Sequence, residues 1–370
     1  MKKRNKLVVA AGSTVALGAL ATTITVTAAD SGAQRTAASA GAAAATVWPL
    51  VQGTPGQDTG TSLSSIATTP DGTMWASGSR YRDRKPALQR LSNGTWTNVG
   101  LPASLSKLSL NSVTATSASD VWVAGQLADS GAENAIGHWN GKAWRTFTVP
   151  YQFQSTGIAA RDTRNVWAVS YSGAKYWNGT AWADTPIGIR PRAVAASPGG
   201  AWAVGTTGPQ PAAARWNGSA WVTVPFPEIA GTVRGEIASS FHDVLVVSDD
   251  DVWAVGAVQL ADASGKASSR SLFAHWNGTK WTHTIGDPRT AFTEITSDGA
   301  GGMWIMENQG VMRHRAADGT WSTETVTVPA GTTPRINDMA VRPGTRTVWA
   351  VGATSTTATG WADLAHWRSN

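Results

Sequence analysis

DVWVAGQLADSGAENAIGHWNGKAW, residues 120–144, carries the pattern that decides the fold. Val121-Trp122-Val123-Ala124 reads as one apolar strand, and the segment running through His138-Trp139 reads as a second. Asn140-Gly141, two residues that tolerate positive φ, predict a tight two-residue turn, and Trp144 opens a third strand. Adding the run before Asp120 gives a unit of four strands: a over residues 110–116, b over 121–125, c over 135–139 and d over 144–149.

The unit repeats. Its first tryptophan returns at Trp75, Trp122, Trp167, Trp202, Trp253, Trp304 and Trp349, with spacings of 47, 45, 35, 51, 51 and 45 residues. That period belongs to four-stranded propeller blades rather than to helical repeats of about 34 residues. The second half returns as LSNGTW, HWNGKAW, YWNGTAW, RWNGSAW, HWNGTKW and RHRAADGTW, the last read with His314 in place of the first Trp. The seventh copy reaches His366-Trp367 without a strand d, while the folded region opens on an orphan, Val47-Trp48-Pro49-Leu50-Val51, that resembles one. The expectation is an all-β, seven-bladed propeller of four-stranded antiparallel blades over residues 47–370, its ring closed by the N-terminal strand completing the last blade.

This architecture absorbs most of the conspicuous residues. The Trp side chains are expected between neighbouring sheets, where each buries a large flat surface. His138, His275, His314 and His366 recur at or beside the strand-c Trp and read as framework. In the run Asp249-Asp250-Asp251, with Asp243 as a further oxygen donor, a calcium site is conceivable. Asp251, however, occupies the place of Asp120 and Asn165, where a short polar side chain caps the turn before strand b, so no metal is assigned. Asn93, Asn178, Asn217 and Asn277 form glycosylation sequons, and each is the hairpin turn of its own repeat.

Residues 1–29 read as a secretory signal, with Lys2, Lys3, Arg4 and Lys6 before an apolar core and a small-residue cleavage site. Residues 30–46, almost all Ala, Ser, Thr and Gly, read as a disordered linker. Export to the cell exterior or surface is the expected fate, with no membrane span once the signal is cleaved. Removing the four basic residues leaves 26 Lys and Arg against 24 acids, a balance of +2 that gives no support to a nucleic-acid partner. The chain has no cysteine, so stability rests on packing, without disulfides or thiolate metal sites.

The DVWAVG and WNGTxW pattern resembles the Trp-rich repeats of secreted actinobacterial β-propeller proteins, and more loosely those of kelch and galactose-oxidase-type propellers. The resemblance covers residues 47–370 and implies the fold; propellers host hydrolases, lyases, oxidases, lectins and scaffolds alike. The copper oxidase cofactor of the galactose-oxidase kind needs a cysteine, so no cofactor is assigned.

Function is expected on the face shared by the b–c and d–a loops. In blade 1 that loop carries Arg80, Tyr81, Arg82 and Arg84, a cluster able to hold a carboxylate, sulfate or sugar acid. The d–a loops offer Tyr151, Phe153, Arg190, Arg192, Phe226 and Glu228, aromatic and charged residues suited to a sugar ring or a peptide. The long b–c connection of blade 5, residues 260–270, reads as a flexible excursion. No catalytic constellation stands out, since none of Glu133, Glu228, Glu236, Glu294 and Glu307 is singled out as half of an acid pair. The sequence therefore predicts a monomeric, exported, non-catalytic module binding an extracellular glycan or protein. The alternative is an extracellular hydrolase or lyase acting on carbohydrate, and an acid pair converging with an Arg on the axis mouth would favour it.

Overall fold

A computed structural model describes residues 47–53, 60–127, 134–233, 239–262, 264–308, 310–356 and 362–369. Among them the strands form seven antiparallel sheets in chain order, the blades of a propeller. The innermost strands are Thr61–Thr68, Leu108–Ser117, Ser155–Asp162, Arg190–Ser197, Ser240–Ser248, Phe292–Ser297 and Thr332–Val341. Each packs on the next, and the seventh packs back on the first. Blade 2 follows its expected outline closely, with strands Leu108–Ser117, Asp120–Leu127, Asn134–Trp139 and Trp144–Val149. The loop at residues 128–133 lies outside the described residues.

Every inner strand carries a bulge near its start, at Ser64, Asn111, Thr156, Arg192, His242, Thr293 and Asn337, where one extra residue interrupts the pairing with strand b; blades 2, 3 and 5 carry a second register shift farther along. The bulge accounts for the glycine that ends the strand-b motif. A Cβ at Gly78, Gly125, Gly205, Gly256 or Gly352 would run into the carbonyl oxygen of Ser62, Ser109, Arg190, Ser240 or Arg335 on the bulged strand. In blades 3 and 6 the inner strand begins only one residue before its bulge, and there the motif position holds Ser170 and Glu307.

Ring closure uses the orphan segment twice. Val47–Trp48 runs parallel to the outer strand of blade 6, pairing with Thr325 and Val326. Pro49, which has no N–H to donate to a ladder, separates the two pairings. Leu50–Gly53 then pairs antiparallel with Ala362–Arg368 as the outer strand of blade 7. Gln52 carries the closure into blade 1, donating to the Trp96 carbonyl at 3.1 Å and accepting from the Trp96 N–H at 3.1 Å.

The tryptophans sit between blades, as expected. Trp122 meets Trp177 and Trp182 of the next sheet, Trp202 meets Trp276 and Trp281, and Trp349 meets Trp96, with ring centroids 5.5–6.0 Å apart. Three of the four framework histidines share one arrangement. His138, His275 and His314 stack on the strand-b Trp and bond to Asp120, Asp251 and Asp298 at 2.7, 2.8 and 2.9 Å.

Four details depart from the expectation. His314 occupies the position of His138 and His275, so the residue replacing the strand-c Trp in blade 6 is Arg315. His366 is two residues out of register, because Arg368 pairs with Trp349; its buried ring stacks on Trp96 instead. The Asn-Gly connections of blades 2 to 5 are four-residue loops in which only the glycine has positive φ, and the Asn carboxamide accepts two backbone N–H groups, as Asn140 does from Lys142 and Ala143. Blade 1 alone has the two-residue form, with Asn93 and Gly94 both at positive φ. Finally, the residue 260–270 excursion is largely ladder: Asp251–Ala261 and Ala267–Trp276 pair as far as Ala261 with Ala267, and Asp262 caps the turn.

The glycine contact is testable. Gly352→Ala is expected to lose about 1–3 kcal/mol or more, because backbone, not a movable side chain, opposes the new methyl. Ser170→Ala, at the same position of a blade that starts later, is expected to lose much less, and urea denaturation of the two variants compares them.

Candidate functional site

The bulges do more than shape the ladder. In blades 1, 2, 5, 6 and 7 the inner strand reads apolar–polar–polar–apolar at this point, and residues at or beside the bulge in all seven blades line the axis. In four blades the bulged residue donates to the carbonyl that precedes the next blade's bulge: Asn111 to Ser155, Thr156 to Pro191, His242 to Phe292 and Asn337 to Leu63, at 3.2, 3.5, 2.8 and 2.6 Å. In blades 1, 5 and 7 the residue after the bulge accepts an N–H from the next blade. Ser65 accepts from Val113 at 3.3 Å, Asp243 from Ile295 at 2.9 Å and Asp338 from Ile66 at 2.8 Å.

Together they enclose a polar cavity of about 290 Å³ on the axis, to which all seven inner strands contribute. Its charged lining is Arg192, His242, Asp243, Glu294 and Asp338. The bulges lie toward the start of each inner strand, the end fed by the d–a loops. His242, Asp243, Glu294 and Asp338 are half-buried, and Arg192 is the exposed member. Ser112, almost fully buried, lines the cavity with a hydroxyl that has no hydrogen-bond partner.

Enclosure dominates the electrostatics, because a buried charge loses its hydration. Burial lifts Asp243 to about 6, and burial with the neighbouring Asp243 charge lifts Asp338 to about 7. Glu294 is raised well above the carboxylate range by burial and then by Asp243 and Asp338, and its carboxyl donates to Asp243. Burial, then Arg192, lowers His242 to about 4. Its Nδ1 faces a carbonyl, which only accepts, so Nδ1 carries the proton and the ring is neutral. The three acids titrate as a coupled set that retains protons near neutrality.

Asp243 and Asp338 are committed to the framework on both oxygens, the second oxygen of each accepting from Val244 and Met339 at 2.8 and 2.7 Å. Glu294 is the acid not so committed. Asp249 and Asp250 sit at the a–b turn of blade 5, at the other end of the strand from the cavity that holds Asp243, so this run and Asp243 do not converge.

The residues singled out in the sequence fall in separate places, and only Arg192 reaches the axis. Arg80 is paired with Asp83, Nε to Oδ1 at 2.6 Å; Tyr81 and Arg82 lie exposed on the same loop. Arg84 borders a cleft of about 650 Å³ with Lys85 and Lys107. Arg190 and Phe153 border another, of about 710 Å³, beside Tyr171 and Lys175; Phe153 is buried and Lys175 Nζ lies 5.3 Å from its ring centre. Tyr151 accepts from Asn134 through its carbonyl at 2.9 Å. Phe226 packs edge-on against Phe241, and Glu228 lies exposed nearby. Sequence reasoning passed over Asp338. The doubled polar residue inside five of the seven a strands, which breaks strict alternation, was the signal available for it.

The fold and its aromatic clusters define a seven-bladed β-propeller with Trp-rich joints between blades. No known family and no curated protein matches the sequence. Among solved structures, YCF48 from Cyanidioschyzon merolae superposes with a TM-score of 0.58 at 14% identity, covering 88% of this chain and 99% of that one. YCF48 bound to D1 peptide gives 0.54 at 14%, covering 84% and 94%. The WD40 propeller domain of Doa1 gives 0.54 at 14%, covering 87% and 97%. At these identities the likeness is one of fold.

The Asp338 carboxyl is protonated more readily in the folded chain than in the unfolded one. Its contribution to stability therefore declines as the pH rises from about 4 through about 7. Asp338→Asn removes that decline, so the stability of the variant relative to wild type is expected to climb across the window, by up to about 4 kcal/mol. Urea titrations at pH 4, 5.5, 7 and 8 check this; a difference independent of pH would refute it.

Proposed function

We propose that this chain is an exported, monomeric, non-catalytic binding module that captures a peptide or protein segment across the mouth of the axial cavity. A cationic side chain of the partner enters toward Asp243, Glu294 and Asp338. The observation that carries the reading is the cavity itself: all seven blades supply its wall, and three carboxyls against one guanidinium make it a receptor for positive charge. The export signal in residues 1–29 supports a place outside the cell. YCF48, similar in fold, is a protein for which a D1 peptide complex is known.

A second reading, an enzyme on extracellular carbohydrate, is favoured by one observation: acids and an Arg do converge at the axis. Two of those acids have both oxygens on backbone N–H groups, which leaves Glu294 without a second uncommitted carboxylate at its side. The binding reading is preferred for that reason.

Calorimetry of the chain lacking residues 1–29 against Lys- and Arg-containing peptides is expected to show binding that weakens as the pH falls from 8 to 5, since a bound cation must displace protons. The Glu294→Gln, Asp338→Asn pair is expected to weaken it at least about tenfold. Indifference to peptide charge would sink the proposal, and so would polysaccharide turnover abolished by Glu294→Gln.

A further inference from the structure

Blade 6 breaks the repeat at three positions together. Glu307 stands where five blades have glycine, Arg315 stands where blades 2 to 5 have the strand-c Trp, and Trp321 is 48% exposed while its counterparts are buried or half-buried. The breaks are physically linked. At the other interfaces with a strand-c indole, that indole packs on the preceding blade's aromatic core. Here Trp253 of blade 5 receives the Arg315 guanidinium instead, 5.0 Å from its ring centre. Trp321 is left on the outer side, touching Phe273 edge-on with centroids 5.4 Å apart and much of its indole uncovered. The late start of the inner strand in blade 6 makes room for the Glu307 side chain, which five of the other blades deny to any Cβ-bearing residue at that position.

A cleft of about 270 Å³ results between blades 5 and 6, lined by Phe273, Phe292, Trp321, Glu307, Arg313 and Asp287 among others. It shares no lining residue with the axial cavity. One wall is aromatic. In the same lining, Arg313 pairs through Nε with Glu307 and through Nη1 with Thr323 Oγ1 at 2.7 Å, leaving Nη2 as a donor and the second Glu307 oxygen as an acceptor. A half-exposed indole in one cleft with an adjacent donor and acceptor matches a ring with one C–H face and neighbouring hydroxyls.

We infer that the cleft between blades 5 and 6 is a saccharide-binding site for an uncharged pyranose, stacked on the indole of Trp321 with Phe273 edge-on beside it and adjacent hydroxyls on the Glu307–Arg313 pair. Charge selects the uncharged sugar. Glu307 and Asp287 outnumber the one guanidinium, which is already paired, so a sugar acid meets net repulsion and a cation would have to break the pair. The volume suits a single ring. This site goes beyond the peptide-binding reading and does not rest on it.

Saturation-transfer NMR on the chain lacking residues 1–29 tests the site, using the methyl glycosides of glucose, galactose, mannose and N-acetylglucosamine, with glucuronate as the acidic control. At least one neutral glycoside is expected to show transfer, and glucuronate much less. Trp321→Ala and Glu307→Gln are each expected to weaken binding at least about tenfold, Trp321→Phe to weaken it less, and Asp338→Asn in the axial cavity to leave it unchanged. Trp321 is half-exposed, so its removal should preserve the fold; should it not, Glu307→Gln and Trp321→Phe decide. Absence of transfer from all four neutral glycosides overturns the site. So does transfer that survives Trp321→Ala and Glu307→Gln, or a dimer that Trp321→Ala converts to monomer, which would make this face a contact between copies.

Discussion

The close approach of each bulged inner strand to the strand beside it is the contact on which the rest of this propeller depends. The extra residue turns polar side chains toward the axis and the next blade, and it brings backbone so near strand b that five of seven blades admit only glycine there. The same displacement lets one blade's side chains bond the backbone of the next, as Asn111 does with Ser155 and Asp243 with Ile295. A local irregularity in pairing thus becomes the joint between sheets, and seven of them in a ring make a closed polar wall.

Outside that wall the blades are held by aromatic surface. Trp48, Trp122, Trp167, Trp202 and Trp367 are among the largest fully buried side chains, and in blades 2, 5 and 6 the strand-b indole is stacked on a histidine that an Asp holds by a hydrogen bond. Burying a large flat ring between sheets contributes more than any surface pair can. Losing one indole from an interface therefore opens space that other side chains do not refill. Blade 6 shows this, where a guanidinium takes an indole's place and a neighbouring tryptophan is left half in solvent.

Closure by the N-terminal segment ties three blades at once, through parallel pairing on blade 6, antiparallel pairing on blade 7 and the Gln52 bridge to Trp96 in blade 1. It also completes the axial wall, because Asp338 of blade 7 bonds the backbone of blade 1 only in a closed ring. Stability and the electrostatics of the cavity are in this sense one property.

The sequence by itself determined the all-β class, the blade count, the four-strand unit and the completion of the last blade by the first strand. All of these follow from a period and from hydrophobic alternation, which are local properties of the chain. The framework roles of His138 and His275 were legible for the same reason. The sites were not. Asp243, Glu294 and Asp338 lie 51 and 44 residues apart and each looks like an ordinary polar residue in a strand; only ring closure brings them within reach of one another, and only enclosure raises their affinity for protons. The exposure of Trp321 was likewise hidden, since its motif matches the buried copies and its surroundings depend on what faces Trp253 across an interface between blades. Residues 120–144 told what is repeated, while the tertiary structure decided which departures from the repeat meet in space.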